Sequence, residues 1–131
     1  MMNRKYLEEI IPKEKIFGWH DESDDRHERW CKQEEEYGFC DIETWDLDKA
    51  FAQIIYERMT MYLEWADKTV ALNEPLFDID FLDTTLTLKE VIELIIVKTK
   101  QAIKTNNPDK YTADMDVVWK LMAMVHRCLW W

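Results

Sequence analysis

The sequence has few of the residues that make turns, with two glycines and three prolines in 131 residues. A β-sandwich needs many more turn residues, so this scarcity argues against that class. Long stretches without Gly or Pro favour helices instead. Ser23 is the single serine, and no Ser/His/Asp motif or glycine-rich phosphate loop is present. Serine-type nucleophilic catalysis and P-loop chemistry therefore have little support.

Long apolar runs are also missing. None approaches the ~20 residues that span a bilayer, and the first eleven residues lack an apolar core of signal-peptide length. The three cysteines, Cys31, Cys40 and Cys128, are too few and too irregular for a disulfide framework. We therefore expect a cytoplasmic protein that makes no membrane contact and forms one domain over residues 1–131.

Positive charge is in short supply as well. The chain carries 17 basic and 27 acidic residues, a formal net charge of −10. Such a field repels nucleic-acid phosphates, which argues against direct nucleic-acid binding. It is compatible with solubility, with a basic protein partner, or with mimicry of the charge of a nucleic acid.

What the chain does have is helical periodicity. A short first helix is predicted over residues 3–11, and a second over residues 25–36 that Gly38 ends. The stretch from Tyr37 to Asp48 leads into a long helix that reaches about Leu72, with Asp41, Thr44 and Asp46 as possible N-caps. The residues expected on its broad apolar face are Leu47, Phe51, Ile54, Ile55, Tyr62, Trp65, Ala66 and Thr69.

Two further helices follow. Thr87 to Glu90 forms a capping-box pattern that predicts a helix to about Thr105, and Thr112 is expected to cap the last helix. The intervening segment from Leu76 to Phe81 is interpreted as a crossover loop, pinned to the core by Phe77, Ile79 and Phe81. The predicted fold is all-α: an antiparallel bundle of three long helices over residues 38–131, with an N-terminal helical extension of one or two shorter helices over residues 1–37.

Three groups of side chains could bind a metal ion. His20, His27, Cys31 and Cys40 lie within 21 residues, but their spacing matches no established zinc pattern. The acidic loop from Asp78 to Asp83 lacks the glycine and the final glutamate of a calcium loop. The third group could form a magnesium cluster like that of the all-helical nucleotide pyrophosphohydrolases, and it consists of Glu90, Glu93, Asp114 and Asp116. No cofactor is indicated.

Seven tryptophans are available for a core or for a partner. Trp65 and Trp119 stand at helical spacing and are expected in the core. Four others lie outside the strongest periodic runs, and because tryptophan is enriched at binding hot spots they are the predicted partner-binding residues: Trp19, Trp30, Trp130 and Trp131.

Part of the chain, roughly residues 30–131, resembles a group of small phage and prophage proteins. The resemblance is carried by the stretch from Tyr37 to Asp48, the following helix with Arg58, the helix that begins at Thr87-Leu88, and the end Leu129-Trp130-Trp131. Those proteins share a Gly-Phe-x-x-x-x-Thr-Trp-x-Leu-Asp motif and a Trp-Trp end. The resemblance implies a phage origin and a bacterial cytoplasm, and it implies no catalytic residues. We expect an accessory protein that binds a host or phage protein and blocks a bacterial defence complex. The alternatives are a magnesium-dependent nucleotide hydrolase and a structural, self-assembling virion component.

Overall fold

The computed structural model describes residues 4–66, 72–73 and 76–129. These residues are mostly helical, which confirms the helical class. The helices are α1 (Lys5–Glu8), α2 (His27–Tyr37), α3 (Leu47–Ala66), α4 (Leu88–Lys104) and α5 (Pro108–Val125). The strands are β1 (Leu76–Ile79) and β2 (Thr84–Thr87), and short 3₁₀ turns cover Lys13–Lys15, Asp41–Thr44, Asp80–Leu82 and His126–Cys128.

Helix α4 lies at the centre and packs against both α3 and α5. It begins with the capping box that its sequence predicts: Glu90 N donates to Thr87 Oγ1 at 3.1 Å, and Thr87 N donates to the Glu90 carboxylate at 3.0 Å. Val91, Ile92 and Ile95 are completely buried along its inner face. The main core therefore forms along α4, where α3 and α5 cover it from either side.

A two-stranded sheet replaces the expected crossover loop. Strand β1 pairs antiparallel with β2, with Leu76 opposite Thr87 and Ile79 opposite Thr84. Of the three expected anchors, Ile79 is buried, Phe77 is half-buried and Phe81 is exposed. The loop prediction was wrong because the threonine-rich run before α4 forms the partner strand that β1 needs. Its β-branched residues also suit a strand.

Helix α3 buries only part of the face that its periodicity predicts, with Ala66 buried and Ile55 and Tyr62 packed against the core. Leu47, Phe51 and Trp65 are all exposed. The buried positions include two polar residues, Gln53 and Glu57. The N-terminal segment covers them, so this polar side of the helix becomes interior.

Specific hydrogen bonds hold that segment. Phe17 N donates to Gln53 Oε1 at 2.8 Å, and Gln53 Nε2 donates to the Lys15 carbonyl at 3.0 Å. The Arg4 guanidinium forms a bidentate pair with the Glu57 carboxylate. Leu7 packs with Ile16 and Tyr56 of α3 to form a second apolar cluster. Residues 4–17 are therefore packed onto α3.

The N-cap of helix α5 is Asn107, five residues before the predicted cap Thr112. Asn107 Oδ1 accepts from Asp109 N at 2.9 Å and from Lys110 N at 3.3 Å, and Pro108 occupies the first turn. Thr112 Oγ1 donates to the Pro108 carbonyl within the helix. The Asn107-Pro108 pair is thus an N-cap followed by a proline at N1. The predicted end of α3 near Leu72 lies partly outside the described residues.

Candidate functional site

Helix α2 is held in place by one aspartate. Asp41 Oδ1 accepts from Trp30 Nε1 at 2.7 Å, and Asp41 Oδ2 accepts from Gln33 Nε2 at 3.1 Å. Asp41 N in turn donates to Gln33 Oε1 at 2.8 Å, and Arg29 forms an ion pair with the carboxylate. The hydrogen bond from the Trp30 indole is the main reason that the pKa of Asp41 lies below its usual range, with Gln33 and Arg29 adding to it. These bonds join α2 to the 3₁₀ turn at Asp41–Thr44.

Trp30 itself is 0% exposed. It lies in the interior, where its ring centroid is 6.0 Å from that of Trp45, in an edge-to-face arrangement, and 4.8 Å from that of His20. The expectation that Trp30 lies on a partner surface is therefore corrected, since a fully buried indole cannot touch a partner. Its place outside a periodic run reflects the short, polar helix that carries it.

The negative charge of the protein is concentrated in one part of the chain. Residues 21–48, here called the acidic segment, contain twelve acidic and three basic residues, all but one of the ten net negative charges. They cover α2, the 3₁₀ turn at Asp41–Thr44 and the first residues of α3. Solubility alone would not require the charge to be so unevenly distributed along the chain.

Large apolar side chains are exposed in the same segment. Tyr37 is 63% exposed, Phe39 52%, Trp45 47% and Leu47 44%. We call these four residues, three aromatic side chains and one leucine, the aromatic surface. Tyr37 and Phe39 flank Gly38, whose left-handed φ of 85° ends α2 as predicted. The sequence signal for this site is the density of Asp, Glu and aromatic residues between Tyr37 and Asp48.

Phe51 and Trp119 lie next along the surface. Leu47 and Phe51 are one turn apart on α3, and the Phe51 and Trp119 rings meet edge to face at 5.9 Å between centroids. Both are exposed, as is Trp65. The expectation that Trp65 and Trp119 belong to the core was wrong, because Trp65 is 49% and Trp119 47% exposed. The buried apolar residues of α5 are Met115, Val118, Leu121 and Val125.

The other predicted partner-binding tryptophans have different outcomes. Trp19 is half-buried, and its Nε1 is buried without a hydrogen-bond partner among the described residues. Trp130 and Trp131 lie outside the described residues. Their part in partner binding stays a prediction.

A cleft of about 630 Å³ lies between α2 and the N-terminal segment. His20, His27 and Cys31 line it together with Trp19. His20 Nδ1 is 2.8 Å from His27 Nδ1, and His27 Nε2 is 3.4 Å from Cys31 Sγ. His27 thus offers one ring nitrogen to each neighbour. The two nitrogens point away from each other, so one zinc ion could not be bound by all three residues.

Cys40, the fourth member of the group predicted from the sequence, is not one of the residues that line this cleft. Burial and the adjacent Glu43 carboxylate raise the pKa of the Cys40 thiol to about 12. It is 2% exposed, whereas Cys31 is exposed and Cys128 half-buried. Cys31 is therefore the thiol most open to a reagent.

The proposed magnesium carboxylates do not come together. Glu90 is held in the capping box of α4, and Glu93 and Asp116 are exposed. Asp114 is buried with Lys98 Nζ at 3.6 Å and Lys110 Nζ at 3.9 Å from its oxygens. Within residues 4–66, 72–73 and 76–129, no group of three or more His, Cys, Asp or Glu side chains is placed to bind a metal ion.

In the part of the chain that the structure describes, no helix has both the length and the apolarity to cross a bilayer. The resemblance to small phage proteins stays a prediction, since nothing in the structure tests it. Comparison with protein-family models, with curated proteins and with solved structures gave no match to this chain.

Proposed function

We propose that this protein acts by binding another protein through the acidic segment and its aromatic surface. The observation that carries the proposal is the coincidence of the two features: four large exposed apolar side chains lie on the same 28 residues as nearly all of the net charge. A binding surface with apolar anchors and a charged surround is the usual anatomy of a protein interface.

The partner carries a basic surface with apolar pockets. Acidic residues flank the anchors along the chain, with Glu34, Glu35 and Glu36 before Tyr37, and Asp46 and Asp48 on either side of Leu47. Complementary charge speeds the encounter and orients the partner, while the aromatic side chains supply most of the binding free energy. Such a surface also repels nucleic acid, so direct nucleic-acid binding is not part of the proposal.

In a biological setting, we propose a phage-type accessory protein in the cytoplasm of a bacterial host. Its target is a host or phage protein, and inhibition of a bacterial defence complex is the role that fits a small acidic binder best. The proposed scaffold is an antiparallel bundle of α3, α4 and α5, which is supported by the three-residue connection between α4 and α5 and by the contacts of α4 with both neighbours.

The test compares binding by the aromatic surface with binding by an equally exposed apolar control. Tyr37→Ala/Phe39→Ala removes the two most exposed anchors of the aromatic surface. Leu76→Ala/Val97→Ala removes two side chains that are 68% and 49% exposed elsewhere. Each protein is immobilised, incubated with bacterial lysate, and the captured proteins are quantified by mass spectrometry at low and high salt.

We expect wild-type and the Leu76/Val97 variant to retain the same basic protein at low salt, and the Tyr37/Phe39 variant to lose at least ~90% of it, because two hot-spot losses exceed 1.4 kcal/mol. Equal retention by all three proteins would contradict the proposal. Self-association is the competing outcome. A concentration-dependent oligomer in light scattering that disappears in the Tyr37/Phe39 variant would favour the structural virion component instead.

A further inference from the structure

We propose that Cys31 is a reactive thiol that undergoes exchange with small cationic disulfides, with His27 as its general base and His20 as a positioning residue. This modification site is independent of the proposed protein-binding function. It rests on an ordered set of side chains: Cys31 Sγ lies 3.4 Å from His27 Nε2, and His27 Nδ1 lies 2.8 Å from His20 Nδ1.

The geometry determines the direction in which the proton moves. When His27 Nδ1 donates to His20 Nδ1, Nε2 of His27 has a free lone pair that accepts the Cys31 proton. After the transfer, the His27 imidazolium donates from Nε2 to the thiolate and from Nδ1 to His20. His20 is an acceptor in both states, so it orients the base before and after the proton moves. A nucleophile, a base and a residue that orients the base are the parts of a catalytic triad.

The ring of His20 has a rigid support. Its centroid is 4.8 Å from the Trp30 ring, and Trp30 is completely buried and hydrogen-bonded to Asp41. Cys31 and His27 are one helical turn apart on α2, which fixes the separation of their side chains. The arrangement therefore does not depend on long, freely rotating side chains.

The charge of the cleft selects the substrate. Its lining includes two basic residues, Arg4 and Lys13, and five glutamates: Glu8, Glu22, Glu34, Glu35 and Glu43. Arg4 is engaged by Glu57, which leaves the excess of carboxylate unbalanced. An acidic cleft concentrates cations and repels anions. A disulfide that carries amines, such as cystamine, is thus favoured over one that carries carboxylates.

The exchange step is balanced as follows. The Cys31 proton passes to His27 Nε2, and the Cys31 thiolate attacks one sulfur of the disulfide. A new S–S bond forms at Cys31 while the original S–S bond breaks. The leaving thiolate takes the electron pair of that bond and recovers the proton from His27. The products are a mixed disulfide at Cys31 and one small thiol.

The experiment measures the rate of mixed-disulfide formation in the Cys128→Ser background, which leaves Cys31 as the exposed thiol. Cystamine is the cationic probe and 5,5′-dithiobis(2-nitrobenzoate) the anionic one, and mass spectrometry identifies the modified residue. Cys31→Ser should abolish the reaction. His27→Ala and His27→Gln should each slow cystamine exchange by about tenfold or more, since a positioned general base contributes at least that much.

His20 needs a readout that separates orientation from folding. His20→Ala should slow exchange several-fold, and His20→Asn should restore much of the rate, because its side-chain oxygen can accept the same hydrogen bond. Circular dichroism verifies that each variant is folded. If folded His27→Gln exchanges as fast as the parent, the base is not His27 and the proposal fails.

The preference for cationic over anionic disulfides is tested separately. Rates with each probe are divided by those of the same protein unfolded in urea. The ratio of the folded to the unfolded rate should be larger for cystamine than for the anionic probe. Glu34→Gln/Glu35→Gln should reduce the difference between the two ratios. Equal ratios for the two probes would overturn the assignment to cationic disulfides.

Discussion

Trp30 Nε1 donates a 2.7 Å hydrogen bond to Asp41 Oδ1, and the same indole contacts one residue of the cleft and one residue of the aromatic surface. On one side, the Trp30 ring supports His20 and hence the cleft. On the other, its edge contact with Trp45 supports a member of the aromatic surface. A single buried indole thus positions residues that are open to solvent.

Trp30→Ala should destabilise the protein by about 3–5 kcal/mol, the usual cost of removing a buried tryptophan side chain. Trp119→Ala is the matched control, because Trp119 is 47% exposed. Its truncation should cost about 1 kcal/mol or less. Urea unfolding followed by circular dichroism measures both. Equal costs for the two substitutions would contradict the placement of one tryptophan inside and the other on the surface.

Because of Asp41, the stability of the protein should decrease at acid pH. Its pKa is lowered in the folded state, so its contribution is complete above the pKa of an unfolded aspartate, about 3.9, and is lost as the pH falls through the folded value. Thermal midpoints measured from pH 7 down to pH 3 should therefore fall less for Asp41→Asn than for wild-type. The pKa values of Asp21 and Asp24 are lowered as well, so some acid sensitivity should remain in the variant. An unchanged acid dependence would refute the role of Asp41.

Substitution of the two glycines by alanine tests backbone strain and steric clash separately. Both have left-handed φ angles, 82° at Gly18 and 85° at Gly38. A Cβ on Gly38 meets nothing within 4 Å, so Gly38→Ala should cost about 1–2 kcal/mol from backbone strain alone. A Cβ on Gly18 would lie 2.5 Å from Glu43 Cγ. Glu43 is tied to Cys40 N at 2.8 Å, so it cannot move away freely.

Gly18→Ala should accordingly be the more destabilising of the two. The difference in unfolding free energy between the variants measures the clash. Gly18→Ala combined with Glu43→Ala should recover part of it, because the obstructing side chain is gone. A double variant that is no more stable than Gly18→Ala would argue against the close approach of these two residues.

Arg4 should contribute more to the free energy of unfolding than Arg58, although both contact Glu57. Glu57 has only an 11% exposed side chain, and Arg4 forms a bidentate pair with it while packing 4.4 Å from the Phe17 ring centroid. Arg4→Ala should cost about 1–3 kcal/mol, since it leaves a largely buried carboxylate poorly paired. Arg58 is 66% exposed, and Arg58→Ala should cost less than about 1 kcal/mol. Chemical denaturation gives the comparison, and the reverse order would be inconsistent with this packing.

The start of α5 can be tested by the two candidate caps. Asn107→Ala removes the acceptor for Asp109 N and Lys110 N and should cost about 1 kcal/mol. Thr112→Ala, within the helix, should be close to neutral because alanine has the higher helix propensity. Thermal unfolding of both variants decides between them. A larger loss for Thr112→Ala would restore the cap that the sequence pattern suggested.

Local signals were sufficient for much of the secondary structure. The capping box at Thr87 and the left-handed Gly38 depend on residues within one turn of each other, so the sequence predicts them correctly. The same locality explains the missed hairpin. The pairing of β1 with β2 depends on residues up to eleven positions apart, and each strand alone is too short to signal it.

The sequence by itself determined the helical class and the accumulation of charge between residues 21 and 48. Composition and short-range periodicity do not depend on contacts between one helix or strand and another. Only the tertiary structure decided which side of each helix is buried. Trp30 is inside because the His20 and Trp45 rings and the 3₁₀ turn at Asp41 pack against it, whereas Trp119 stays 47% exposed beside Phe51. The cleft follows the same rule: His20 and His27 meet because a loop folds back onto α2, a contact that no periodicity encodes.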